Sequence, residues 1–502
     1  MRPGALCKNQ DLTPDLAPDL IVRSRRAVLP TGIRPAAIHI HHGKIIGVLD
    51  FEDAPSGCPR DEAADAVVMP GVVDTHVHLS TPGRTESESV EVTTRAAAAG
   101  GVTTIVATPL DGKPLTTTAD ALERKRRAAD GRCFVDVGFW GGVVPGNTLE
   151  LPGLVAAGVL GFECSLMTVG ASPDVAASAT WDANDFGPVG EADLRLAMPL
   201  LAKHGSQLLV HAELPGPIDS ATRLSSGRGW LSRILRTAPD PRSYATYLAT
   251  RPKAAENEAI ALVIGLCREY RVRAHILHLS SSDALTPIYH ARASGLPMTA
   301  ETCPHYLTFV ADEIPDGATA FTCAPPIRER ENREYLWAAL AGGLLQMVVS
   351  DHWASPVLEV PRALDDFFRA PAGISSIQVS LAATWTAAAG RGYSLNQLTE
   401  WMCRAPARLA GLGRKGAIDV GYDADLVIWD PNGEFVVDSS PHSVLRAPTD
   451  SRIAGSSHPR ARPIPYEGRR LRGVVERTYL RGARIYERGR PMGVPYGRLL
   501  SR

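Results

Sequence analysis

Gly71-Val72-Val73-Asp74-Thr75-His76-Val77-His78-Leu79-Ser80 reads as a buried strand that ends in two histidines one residue apart. Alternate side chains of a strand share a face, so Asp74, His76 and His78 project together while Val73, Thr75 and Val77 face the other way. Two imidazoles then converge on one point. That suits a divalent ion, because neutral imidazole nitrogen is a good ligand for zinc and its neighbours. An HxH pair is a short pattern that a strand can carry without a metal, so the weight falls on what stands at the ends of later strands.

Outward from this strand, over about 70–410, apolar runs alternate with Ala/Leu-rich runs of helical periodicity. The strand candidates are 72–78, 103–107, 134–138, 158–163, 207–211, 274–278, 298–301 and 345–350; the helical stretches include 92–99, 119–129, 191–203 and 256–270. Eight strands is the count of a (β/α)8 barrel, an α/β fold. A doubly wound open sheet is the alternative, but no GxGxxG follows the first strand. In a parallel barrel the C-terminal strand ends line one mouth. His211 (followed by Glu213), His278 and Asp351 close later strands and would converge there with His76 and His78. Alternation sets His275 opposite His278, and turns Asp351 rather than His352 inward.

Both flanks read as short strands and turns, and neither has a core of its own. Pairing them into one small β-sandwich module buries their faces economically. The expected organisation is a loose tail at 1–18, the module at 19–69 plus 415–490, the barrel at 70–414 and a C-terminal tail at 491–502. His39, His41 and His42 flank a His42-Gly43 hairpin turn and read as turn residues rather than ligands.

Composition narrows the partners. A net charge of -1 lacks the basic field that nucleic acid or a membrane surface would need. No apolar run reaches the roughly 18 residues of a membrane span, and Met1-Arg2-Pro3-Gly4-Ala5 opens no signal peptide, so a cytoplasmic location is expected. Eight cysteines without a CxxC pair fit reduced thiols.

Several runs carry a resemblance. Asp74-Thr75-His76-Val77-His78, Pro82-Gly83-Arg84-Thr85-Glu86, RAAAAGGVTT (95–104) and Asp136-Val137-Gly138-Phe139-Trp140-Gly141-Gly142 belong to it. So do Val210-His211-Ala212-Glu213, His278-Leu279-Ser280-Ser281, Glu301-Thr302-Cys303-Pro304-His305-Tyr306-Leu307, Cys323-Ala324-Pro325-Pro326-Ile327-Arg328, Ser350-Asp351-His352 and PYEG (465–468). Over nearly its whole length the chain resembles the cyclic-amide branch of the metal-dependent amidohydrolases (dihydroorotases, hydantoinases, dihydropyrimidinases), and most closely the allantoinases. The resemblance implies a divalent metal site, zinc by preference, with one or two ions held by His76, His78, His211, His278, Asp351 and the residue at 163. It implies Asp351 as the catalytic group and substrate contacts from Ser80, Asp111, Ala324, Gly373 and Ile374. For Gly373 and Ile374, backbone contact and a turn without a ligand role are equally open. It also implies a homotetramer.

The departures are as informative. Relatives carry a lysine that carbon dioxide converts to a bridging carboxylate; this chain reads Gly161-Phe162-Glu163-Cys164, so no carboxylated lysine is expected. Glu163 offers the same group on an arm roughly 3 to 4 Å shorter by ordinary bond geometry. Three outcomes stay open: a glutamate-bridged pair of ions, a single ion or a weakened site. Ser80 stands where dihydroorotases hold a carboxylate-binding arginine, which disfavours dihydroorotate. Asp111 replaces an asparagine and cannot donate as an amide does. Trp353-Ala354 replaces Ser-Pro, and an Arg-rich insert occupies 446–463.

The implied chemistry is metal-assisted hydrolysis of a cyclic amide or ureide, with allantoin to allantoate leading. Asp351 would orient water, take its proton and return it to the departing ring nitrogen. The alternatives are another cyclic-amide or imide hydrolase, and a non-catalytic oligomeric relative suggested by the loss of the lysine.

Overall fold

The structure, a computed structural model, describes residues 17–79, 89–112, 114–167, 187–225, 240–353, 365–438 and 464–502. Ser80, the Pro82-to-Glu86 run, the Arg-rich insert and the first sixteen residues lie outside the described residues.

Eight parallel strands close a barrel. They are β1 (Val72–His78), β2 (Val102–Ala107), β3 (Asp136–Phe139, resuming at Gly141–Gly142), β4 (Phe162–Ser165), β5 (Gln207–His211), β6 (Arg273–Ile276), β7 (Met298–Thr302) and β8 (Met347–Val348, resuming at His352–Trp353). Each pairs with the next in register, for example Thr104 with Asp136 and Cys164 with Val210. His352 opposite Val77 and Trp353 opposite His78 close β8 onto β1. β3 and β8 break where they change partners: the lower half of β3 pairs β2 and the upper half β4, while β8 pairs first β7 and then β1. The strands are apolar on the helix-facing side because parallel barrel strands are covered on both faces; Ile105, Phe162, Leu208 and Ile276 are all inaccessible.

The helices cover the barrel by their apolar faces. Ala119–Ala129 starts on Thr118, whose hydroxyl accepts from the Ala121 amide, and buries Ala121, Leu122, Lys125 and Ala129. Glu191–Lys203 and Lys253–Tyr270 bury comparable stripes.

The two flanks join in one nine-stranded sheet. From one edge it runs Arg490–Pro491, Ala483–Glu487, Arg470–Leu480, Leu426–Val436, Val67–Pro70, Leu20–Leu29, Gly32–His41 and Lys44–Leu49, with Arg60–Glu62 beside Leu20–Leu29. Leu426 pairs with Pro70, so the C-terminal strands enter the sheet against the segment that leads into β1. His42 and Gly43, with φ of 46° and 77°, make the expected two-residue hairpin turn. His39 is tied to the Asp53 carbonyl at 2.7 Å, and His42 is exposed.

A buried charge cluster fastens this sheet to the barrel. Lys415 Nζ lies 2.7 Å from Asp136 on β3 and 2.6 Å from Asp425, and Arg481 donates to both Asp136 oxygens at 2.5 and 2.6 Å. The C-terminal residues then run along the barrel. The Val137 amide donates to Arg498, Leu500 donates to Val137, and Arg502 donates to Gly158.

Candidate metal centre

β1 delivers both histidines to the barrel mouth, and each is oriented by a carboxylate behind it. His76 Nδ1 is 2.8 Å from Glu301 Oε1 at the end of β7; His78 Nδ1 is 2.5 Å from Asp111 Oδ2, after β2. With both Nδ1 atoms engaged, the two Nε2 atoms face Asp351 Oδ1, at 3.4 Å from His76 and 3.2 Å from His78. Ligand atoms about 2.0–2.1 Å from one tetrahedral ion lie roughly 3.3 Å apart. The residues present therefore fit a divalent ion, and His76, His78 and Asp351 would hold it.

Backbone strain aims Asp351. Asp351 has φ of 48°, a left-handed conformation costly for a residue with a side chain and sustained only where the surroundings impose it. Asp74, on the same strand as the histidines, accepts from the Ser350 amide at 3.2 Å and so ties β1 to the end of β8. His352 turns away, its Nδ1 accepting from the Ser376 amide at 3.0 Å.

His211 and His278 form the other half of the cluster. His211 Nδ1 and His278 Nε2 are 2.9 Å apart, and His211 Nε2 meets Glu213 at 3.1 Å, which Arg251 holds at 3.2 Å. His278 lies two residues beyond the end of β6 with φ of 34°, so strand alternation does not carry to it. His275 and His278 consequently reach the same cluster, His275 as the second partner of Glu301 at 2.9 Å.

The electrostatics are those of a cation site. Burial alone would lower the His76 pKa, but Asp351, Glu301 and Glu163 raise it to about 9. His278 is driven the other way, to about 3, first by burial and then by His211. Burial lifts Glu163 to about 7, against the pull of His76 and His78. Glu163 lies on β4, buried, and its Oε2 has no hydrogen-bond partner. It stands outside the His76, His78, Asp351 triad but within reach of its field.

The remaining sequence candidates lie around this cluster. Asp111 is buried behind His78, accepting also from Thr108 at 3.1 Å. Gly373, with φ of 148°, donates to the Thr322 carbonyl at 2.9 Å, and the Ile374 carbonyl accepts from Trp353 at 3.1 Å, so both flank β8. Ala324 is half-buried. Three contributors had no role assigned from sequence: Glu301, Arg251 and Lys125. Glu301 carried a readable signal, an acid closing an apolar strand. Lys125 did too, as a lysine on the buried stripe of its helix; its Nζ donates to the Asp111 carbonyl at 2.5 Å.

Comparison with known proteins agrees with this architecture. Residues 67–455 match the family model described as Amidohydrolase family. The chain is 42% identical to an allantoinase of Streptomyces avermitilis, over 96% of this chain and 99% of that one. It is 38% identical to an allantoinase of Arabidopsis thaliana, over 93% and 88%. Among solved structures, the L-hydantoinase (dihydropyrimidinase) of Arthrobacter aurescens superposes with a TM-score of 0.82 at 30% identity, over 96% of this chain and all of that one. A barrel with this mouth, matched over most of its length, makes the chain a member of the amidohydrolase family.

Proposed function

We propose that the chain hydrolyses a ring amide bond of allantoin to give allantoate. It is a hydrolase of carbon–nitrogen bonds in cyclic amides. The observation that carries the reading is Asp351, held by a left-handed backbone with one oxygen facing both Nε2 atoms of the HxH pair. The allantoin assignment rests on the names of the relatives.

His76, His78 and Asp351 would hold a divalent ion, zinc by preference, which when bound would supply Lewis-acid polarisation of the ring carbonyl and acidify water. The protein's own share is positional. Glu301 and Asp111 fix the imidazoles by their Nδ1 atoms, which sets which nitrogen is offered as ligand. Asp351 takes the proton of the attacking water and returns it to the departing ring nitrogen, without which an amide nitrogen leaves poorly. His76 and His78 keep the Asp351 carboxyl well below the usual carboxylate range despite its burial, so it is held ionised.

We read the centre as holding one ion at His76, His78 and Asp351. A second ion between His211 and His278 would have to break their 2.9 Å contact and draw in Glu163, whose arm is short. Ser80, Ala324, Gly373 and Ile374 are taken as the substrate side. The same reading makes the enzyme a cytoplasmic homotetramer.

The test is metal content per chain together with turnover of allantoin, hydantoin and dihydrouracil. About one ion with allantoin preferred supports the proposal. Preference for hydantoin would favour the second reading, which the hydantoinase-like structure supports. No stoichiometric metal and no turnover would make the chain a non-catalytic relative.

A further inference from the structure

Beside Asp351 lie two side chains that the proposed reaction does not use, Cys303 and His305. Cys303 directly follows β7 and caps the short helix Pro304–Thr308, in which His305 lies. One ligand atom from each, with an Asp351 oxygen, falls within 4.8 Å of the others. All three residues are buried. A separate observation singles out His305: neither ring nitrogen has a hydrogen-bond partner, although the side chain is inaccessible to solvent. A neutral imidazole always carries one N–H, and leaving it unpaired inside a protein costs about 1–3 kcal/mol. Its neighbour Tyr306 is satisfied by the Pro325 carbonyl at 2.6 Å, whereas both ring nitrogens of His305 are left unpaired.

We propose that Cys303, His305 and Asp351 form an additional cation site, one that takes a thiolate-preferring ion such as zinc or cobalt and competes with the HxH pair for Asp351. Zinc–sulfur bonds of about 2.3 Å and zinc–nitrogen bonds of about 2.0–2.1 Å place ligand atoms roughly 3.3–3.6 Å apart, so side-chain adjustments of about an ångström close the group around an ion. Sulfur, imidazole and carboxylate together select for these metals over magnesium or calcium. Binding breaks the Cys303 S–H bond, forms a sulfur–metal bond and releases one proton to solvent.

One Asp351 oxygen already faces the HxH pair, 3.4 Å from His76 and 3.2 Å from His78, so the additional site fills last, at high metal. Because Asp351 is shared, an ion there draws the carboxylate from His76 and His78. Excess metal then inhibits, a consequence that rests on the proposed role of Asp351.

The experiment is a titration of the metal-depleted full chain with cobalt(II), following thiolate-to-cobalt charge-transfer absorption in the near ultraviolet. The band is expected only after the first equivalent is bound, with one proton released as it grows. It is expected to vanish in both Cys303→Ser and His305→Asn, and turnover should fall several-fold as it grows in the unmodified protein but not in Cys303→Ser. Absence of the band at any loading overturns the proposal whatever the variants do, as water would then be the partner of His305. Persistence in Cys303→Ser also overturns it by placing the thiolate elsewhere. Lack of allantoin turnover would remove the reaction assigned above and leave the absorbance result standing.

Discussion

Asp111 Oδ2 lies 2.5 Å from His78 Nδ1, on the side of the imidazole opposite Asp351. The Asp111 carboxylate therefore orients a histidine that the proposed reading assigns to the metal. Removing it in Asp111→Ala leaves His78 free to rotate and to change tautomer. Metal affinity is expected to fall about 10- to 100-fold, measured by competition with a chromogenic chelator.

Asp351→Asn keeps the shape and removes the proposed base. At saturating metal kcat is expected to fall about 10²- to 10⁴-fold, the range for loss of a positioned proton acceptor. Steady-state kinetics with retained metal content, checked by elemental analysis, measures it.

Acid sensitivity of the metal-free protein follows from Glu213 and Glu301. Burial would raise both, but Arg251 with His211 in one case, and His275 with His76 in the other, bring them down to about 2 from 4.5. A folded-state pKa below the unfolded one contributes stability that is complete above pH 4.5 and is lost as pH falls towards 2, about 3 kcal/mol per group. Arg251→Met is expected to move the acid unfolding midpoint to higher pH, read by circular dichroism.

Lys415 balances two buried carboxylates where the sheet meets the barrel. Lys415→Met leaves Asp136 to Arg481 and strands Asp425. The expected loss is about 3–5 kcal/mol, seen as a lowered denaturant midpoint with little change in KM.

The barrel was legible because its strands are short apolar runs with polar residues at one end. β1 and β5 coincide with their sequence ranges, and the other strands shift by a few residues. β8 shrinks most, since only Met347–Val348 pair before the break that aims Asp351. The HxH pair was legible for the same reason, as alternation fixes the direction of a side chain within a strand. It fails one step outside: a positive φ at His278 re-aimed that ring, and no spacing rule anticipates a left-handed residue that is not glycine. The partners behind the ligands were the least legible, because His76 and Glu301 meet across 225 positions of sequence.

The residues that run along β3 also set an order of events during synthesis. Asp136 is emitted early, yet its partners Lys415, Arg481 and the Arg498 amide come hundreds of positions later. Until they leave the ribosome, β3 carries a buried carboxylate with no counter-charge, so the barrel can collapse but not lock. A stall before residue 481 should therefore hold a loosened, protease-sensitive barrel on the ribosome.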